Sequence, residues 1–503
     1  MSSPSTVVTD GPRDDSVRAA LRSPRILRRE VVAGLVVALA LIPEAISFSI
    51  IAGVDPRLGL FASFTMAVSI AFLGGRPAMI SAATGAIALV IAPVAREHGV
   101  DYLIATVILG GLIQVVLALA GVARLMRFVP RSVMVGFVNA LAILIFTAQL
   151  PYLRDVPALV YPLVAAGIAI MVLLPRLTDA VPAPLVAIVV LTGLTLAAGW
   201  VLPDVADQGD LPDTLPSFLL PDVPYTVETL RIIAPYALAM AVVGLLESLL
   251  TAKLVDDVTD THSDKTRESW GQGASNVVTG FFGGMGGCAM IGQTMINVKA
   301  SGARTRISTF CAGVFLLVLV VGLGDLVGRI PMAALVAVMV MVAVGTFDWH
   351  SVDPRTLRRM PRSETTVMVV TVAVVVATHN LAIGVGVGVL VATLLFARRV
   401  AHLARVERVL EQDEAGDLVR YRVTGELFFA SSNDLYSQFD YAADPARVVV
   451  DLSESHVWDA STVAALDAVT TKYAARGTAV EIVGLNAASA GMHERLSGRL
   501  GQH

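Results

Sequence analysis

Charge is scarce in this sequence. Of 503 residues only 16% are Asp, Glu, Lys or Arg, 55% are hydrophobic, and mean hydropathy is +0.73. A soluble globular chain carries about a quarter charged residues. A larger core does not absorb such a deficit, so most of the chain must face lipid. Basic excess is lacking too. The formal net charge is -4, and no basic face interleaves with aromatics, which excludes a nucleic-acid surface. Cysteine is reduced to Cys288 and Cys311, both in apolar or Gly-rich sequence. That excludes a disulfide framework and reads as two small buried residues. Nucleophile elbow, P-loop and dinucleotide fingerprint are all missing, so nothing points to an enzyme. The polar, Arg-containing start has no signal-type cleavage site, and the first apolar run is expected to stay in the membrane.

What the sequence does have is apolar runs of spanning length, about 17–25 residues each, from Val31 to Val400. Full spans are expected near 31–52, 58–74, 102–123, 132–150, 158–175, 182–202, 231–252, 305–324, 330–347, 364–379 and 382–400. Three segments, 82–95, 270–286 and 288–299, are shorter or broken by glycine, which makes fourteen. Basic residues mark cytoplasmic loops. The tail holds Arg18, Arg22, Arg25, Arg28 and Arg29, and if every segment crosses once the inside loops hold Arg76, then Arg124, Arg127 and Arg131, then Arg176. Lys253, Lys265 and Arg267 follow, then Lys299, Arg304 and Arg306, then Arg355, Arg358, Arg359 and Arg362. The longest outside loop, near 203–229, is acidic and holds no Lys or Arg. Both ends are therefore expected in the cytoplasm, with the chain in the inner (plasma) membrane. Residues 1–30 form the tail and 31–400 the membrane domain, with a boundary near 400–415 and a small soluble α/β domain over 415–503. In that domain Tyr421–Val423, Leu427–Phe429, Val448–Leu452 and Val480–Val483 read as strands and Thr462–Arg476 as an amphipathic helix.

Backbone groups facing lipid must be satisfied internally, so broken helices belong beside a protein cavity. Two breaks stand out, Ile80–Ala86 and Gly283–Met290, in the third and tenth segments. Short, Gly-interrupted spans at matching places in two halves point to an inverted-repeat transporter site, although such glycines also suit close helix packing. Each half-helix would aim free N–H groups and about half a positive charge into the cavity, enough to hold a small oxyanion without Lys or Arg. Ser81, Thr84 and Thr294 can add hydroxyl donors. Glu44, after Pro43 in the first span, and Glu247, in the eighth, sit deep in apolar sequence at matching positions. Ionisable groups at that depth default to function. Either acid can carry a proton or hold a sodium ion, and Thr251 shares a helix face with Glu247. A carboxylate capping the Pro43 break, or pairing with Lys253, is the structural alternative. Gly384 and Gly388 share one face of the last span and read as a packing contact.

These stretches resemble the sulfate permease (SulP) family over nearly the whole chain. The likeness rests on Val32–Leu35 with Leu41–Phe48 and on Ile51–Leu60. It rests too on Gly74–Pro77 with Ser81–Gly85, on Glu268 with Gly271–Asn276, and on Gly287–Gln293 with Asn297–Lys299. The resemblance implies an α-helical polytopic fold of seven plus seven inverted spans, divided into a core and a gate domain. It implies an anion held by Glu44, Phe48, Thr84, Met290, Ile291, Gln293 and Thr294. In sodium-coupled bicarbonate relatives an acid and a threonine four residues later bind Na⁺, and Glu247 with Thr251 match that spacing, with Glu in place of Asp. Many relatives have arginine where this chain has Gln293, a departure that favours proton or sodium symport over exchange. Val448–Leu452 through Trp458–Ser461 resembles a STAS domain, in which a Ser at the position of Ser461 is a phosphorylation site; as a structural alternative Ser461 is an N-cap. The resemblance implies a homodimer and STAS-domain regulators as partners. The expected function is proton- or sodium-coupled uptake of sulfate or bicarbonate, with no cofactor beyond a coupling Na⁺. A dicarboxylate symporter, an anion exchanger, a nucleobase/proton symporter and a non-transporting sensor are the alternatives.

Overall fold

The computed structural model describes residues 16–124, 129–177, 182–401, 404–413 and 416–499; Arg127 and residues 1–15 of the tail lie outside them. The first half of the apolar region forms α1 (Val17–Arg22), α2 (Pro24–Ala52), α3 (Pro56–Leu73), β1 (Ser81–Ala82), α4 (Gly85–His98), α5 (Val100–Leu119), α6 (Arg131–Thr147), α7 (Val160–Leu173) and α8 (Ala183–Ala198). The second half forms α9 (Val227–Thr259), α10 (Lys265–Phe281), β2 (Cys288–Ala289), α11 (Ile291–Met295) with a following π-helical turn (Ile296–Ala300), α12 (Arg306–Gly322), α13 (Gly324–Gly328), α14 (Met332–Thr346), α15 (Pro354–Arg359), α16 (Arg362–Thr378) and α17 (Leu381–Ala401). Each apolar run of the sequence coincides with a helix. Among the described residues, six helices are long and apolar enough to cross a membrane, and four more are apolar but shorter. The helix over 270–286 begins earlier, at Lys265, and ends at Phe281, because Gly283 and Gly286 adopt positive φ and turn the chain toward β2.

The packing repeats itself with the halves exchanged. Helix α5 lies against α10 and α9, while its counterpart α12 lies against α3 and α2. Helix α6 lies against α16, and α14 against α7. Strands β1 and β2 pair antiparallel, Ser81 with Ala289 and Ala82 with Cys288, so the two broken helices meet through their lead-in strands. This is the inverted-repeat arrangement, with α2 to α5 and α9 to α12 in one bundle and α6 to α8, α14 and α16 in the other. Gly384 and Gly388 of α17 do serve close packing. A Cβ at either would strike Val375 or Thr371 of α16, whereas Gly386 faces open space.

The chain divides into two compact units between Val389 and Leu390. In the second, β3 (Arg405–Asp413), β4 (Gly416–Leu427), β5 (Arg447–Val457) and β6 (Ala479–Val483) make one sheet in that order, β3 antiparallel to β4 and the rest parallel. Helices α18 (Phe429–Leu435), α19 (Ala460–Ala474) and α20 (Ala487–Leu496) complete it. Val419, Tyr421 and Val423 alternate inward on β4 and pack with Val448, Val450, Leu466 and Tyr473. Two expectations are corrected here. The domain includes β3, so it starts before residue 415, and its first strand was missed because Arg405–Asp413 is charge-rich. Leu427–Phe429 is not a strand of its own: Leu427 ends β4 and Phe429 begins α18.

Candidate functional site

The half-helices start where the sequence breaks. Thr84 adopts extended backbone and caps α4, its Oγ1 accepting from the Ile87 N–H at 3.3 Å. Gly85 opens the helix because a Cβ there would lie 2.9 Å from the Phe48 ring and 3.0 Å from Ile145. Met290 is the N-cap of α11 and makes no side-chain capping hydrogen bond, so no side chain of its own caps the first amides of that helix. The irregular backbone between β1 and β2 is satisfied by buried side chains, as its depth requires. Asn276 pairs with both backbone groups of Gly287, accepting its N–H at 2.9 Å and donating to its C=O at 3.0 Å. Ser63 accepts from the Ala83 N–H at 3.2 Å and Ser248 from the Ala289 N–H at 3.1 Å. Gly287 is required because an added Cβ would sit 2.0 Å from the Ala82 carbonyl oxygen.

A cavity of about 360 Å³ lies against these ends, toward the small end of the usual range for ligand sites. The first bundle contributes Glu44 and Phe48 of α2, Thr84 and Gly85 of α4, Glu247 of α9, and Met290, Ile291 and Gly292 of α11. The second contributes Phe137, Val138, Leu141 and Ile145 of α6 and Val342, Gly345 and Thr346 of α14. None of these residues is Lys, Arg or His, so the positive field at the site comes from helix ends. Both carboxyls are held. Gln293 Nε2 donates to Glu44 Oε1 at 2.7 Å. Cys288 Sγ donates to Glu247 Oε2 at 2.9 Å and lies 3.1 Å from Thr84 Oγ1.

Of the residues expected at the site, Glu44, Phe48, Thr84, Glu247, Met290 and Ile291 converge on the cavity. Four others do not line it. The Ser81 hydroxyl accepts from Gln272 at 2.6 Å, and the Thr294 hydroxyl accepts from the Ile80 N–H at 3.0 Å, so both hold the strand crossing. Gln293 acts through Glu44. The Thr251 hydroxyl donates to the Glu247 carbonyl at 2.8 Å and is fully buried, one helical turn from the cavity-lining carboxyl. No ion pair joins Glu247 to Lys253 among the described residues. The α6 and α14 wall was missed because its residues are mostly ordinary apolar ones, with Gly345 and Thr346 unmarked by any motif, and Cys288 because a lone buried cysteine carries no signal. Ser461 is exposed in the first turn of α19, but Asp459 is the N-cap, accepting from the Thr462 N–H at 3.0 Å. The alternative of Ser461 as N-cap is thereby excluded.

The family model described as the sulfate permease family matches residues 27–162 and 158–371. The chain belongs to that family. It is a membrane transporter and not an enzyme, and residues 409–497 match the STAS domain model. A putative sulfate transporter, YbaR of Bacillus subtilis, is 53% identical over 94% of this chain and 97% of its own length. The bicarbonate transporter BicA of Picosynechococcus is 27% identical over 80% of this chain and 75% of its own. Among solved structures, the murine Solute Carrier 26 family member A9 anion transporter in its inward-facing state superimposes with a TM-score of 0.79 at 17% identity, covering 94% of this chain and 88% of that one. The transmembrane domain of a cyanobacterial BicA gives 0.63 at 24% identity, covering 74% of this chain and 98% of that one.

Proposed function

We propose that the chain is a secondary active importer of a small inorganic anion, sulfate or bicarbonate, coupled to protons or sodium ions. The observation that carries this reading is the pairing of two uncharged helix ends with two carboxyls, Glu44 and Glu247, around one cavity. The helix ends favour an anion. Two ionised carboxylates repel it. The site therefore suits an anion best when a cation, H⁺ or Na⁺, has neutralised an acid, with Glu247 as the coupling residue and Thr251 beside it. Coupling is needed, because an anion entering a cell works against about 2.3 kcal/mol per charge per 100 mV. The names of YbaR and BicA support sulfate and bicarbonate as the substrates to try first. The two bundles that share the cavity wall would move against each other to open it to either side. Both termini face the cytoplasm in this reading, the working assembly is a homodimer, and Ser461 is the point at which a regulator acts.

The test is uptake into liposomes of purified protein, with labelled sulfate, bicarbonate and a small dicarboxylate, under inward proton or sodium gradients. Uphill accumulation of one inorganic anion is expected, and Glu247→Gln should reduce it to equilibration. Failure of both sulfate and bicarbonate to enter, or accumulation untouched by Glu247→Gln, refutes the reading.

A further inference from the structure

The Cys288 thiol touches both halves of the proposed site. It is fully buried, donates to Glu247 Oε2 at 2.9 Å and stands 3.1 Å from Thr84 Oγ1. Its place is fixed from both sides, since Ala82 pairs with Cys288 across the strand crossing and Ser248, the neighbour of Glu247 on α9, holds the Ala289 N–H. We infer that Cys288 is a positioning residue that links cation binding at Glu247 to anion binding at Thr84, an inference that rests on the cation-coupled reading above.

The linkage follows from counting hydrogens. A thiol and a hydroxyl each carry one hydrogen, and an ionised carboxylate carries none. With Glu247 bare, the S–H points to its oxygen, and the Thr84 hydroxyl, already accepting from the Ile87 N–H, is free to turn its hydrogen onto the sulfur. A proton on Oε2 aimed at the sulfur, or a sodium ion bound on that side, occupies the lone pair that the S–H was using. The S–H then turns to Thr84 Oγ1. Two hydrogens do not fit between sulfur and oxygen, so the Thr84 O–H turns into the cavity it lines. The cation at Glu247 thus does two things: it removes a negative charge and presents one more hydrogen-bond donor to the anion. By reciprocity the anion tightens the cation equally. No bond other than hydrogen bonds changes, and the argument is the same for either cation.

The test uses full-length wild type, Cys288→Ala and Cys288→Ser in liposomes. The anion KM and maximal rate are measured at low and high concentrations of the coupling cation, and thermal unfolding of each purified variant reports on folding. In wild type the KM should fall by about tenfold as the cation is raised, within the range usual for coupled sites. In Cys288→Ala that dependence should shrink below about twofold, and Cys288→Ser, which keeps one hydrogen and one acceptor, should restore it. A role in packing alone would change folding or maximal rate without flattening the cation dependence. Should Cys288→Ala fail to fold, Thr84→Val breaks the relay at its other end and should flatten the dependence in the same way. A variant lacking the relay that keeps the full cation dependence overturns the inference and leaves the transport reading standing. A wild type that carries neither sulfate nor bicarbonate overturns both.

Discussion

Asn276 offers a direct test of how a broken helix survives at membrane depth. Its side-chain amide makes three hydrogen bonds: two to the backbone of Gly287 and one from Nδ2 to Gln114 Oε1 at 2.9 Å. In Asn276→Ala the Gly287 N–H, the Gly287 C=O and the Gln114 oxygen all lose this partner in a fully buried place. Each stranded polar group costs about 1–3 kcal/mol. Partial relaxation keeps the total nearer the lower bound, about 3–5 kcal/mol, and the strand crossing should loosen with it. Thermal unfolding of the purified protein should drop by a few degrees, since entropy of unfolding spreads over a large helical body. Anion uptake should fall at the same time, because Gly287 immediately precedes Cys288 and the start of α11. Asn276→Asp keeps the acceptor for the Gly287 N–H but sets a carboxylate oxygen against its C=O, and should be no better than Ala. An Asn276→Ala protein with wild-type unfolding and wild-type uptake would refute the claim that this side chain holds the crossing.

Further outcomes follow from the same geometry. Gly287→Ala should abolish folded, active protein, because its Cβ would lie 2.0 Å from backbone, whereas Gly292→Ala, with nothing within 4 Å of its Cβ, should leave folding unchanged in the same melting assay. Gln293→Ala frees Glu44 from its 2.7 Å hydrogen bond. That bond orients the Glu44 carboxyl at the cavity wall, so its loss should change the anion KM read in liposome uptake, and an unchanged KM refutes the positioning role. In the STAS domain, the Ser453 hydroxyl at 2.5 Å and its backbone N–H at 3.0 Å hold the Asp451 carboxyl below its ordinary value. A depressed folded-state value adds stability that is complete above the unfolded value, about 3.9, and is lost as pH falls through the folded one. Ser453→Ala should therefore move acid unfolding of this domain to higher pH, followed by circular dichroism of the full chain; an unchanged acid limb refutes the assignment.

The spans were legible because lipid leaves the sequence little choice. Each run of apolar residues between Val31 and Val400 became a helix, and the two Gly-marked breaks became the β1 and β2 crossing. Glu44, Thr84, Glu247, Met290 and Ile291, which line one cavity, stood out because ionisable and helix-breaking residues at depth carry a cost that needs a reason. Ser81 and Thr294 do not line the cavity; a hydroxyl next to a break serves equally well as a ligand donor or as an acceptor that holds the crossing. Only the register of the crossing decides which. The charged strand Arg405–Asp413 hid because an edge strand need not alternate in hydropathy.

By itself the sequence determined a polytopic membrane chain, its two internal breaks, the two deep acids and a small α/β domain at its end. All of these come from local composition and periodicity. The tertiary structure alone decided that Phe137, Leu141, Ile145, Val342 and Thr346 close the cavity, that Gln293 reaches it through Glu44, and that the Cys288 thiol joins Thr84 to Glu247. Those contacts join residues up to 249 positions apart, and an apolar wall or a single thiol has the same composition wherever it lies. Their meaning comes from what packs against them, which no local pattern encodes.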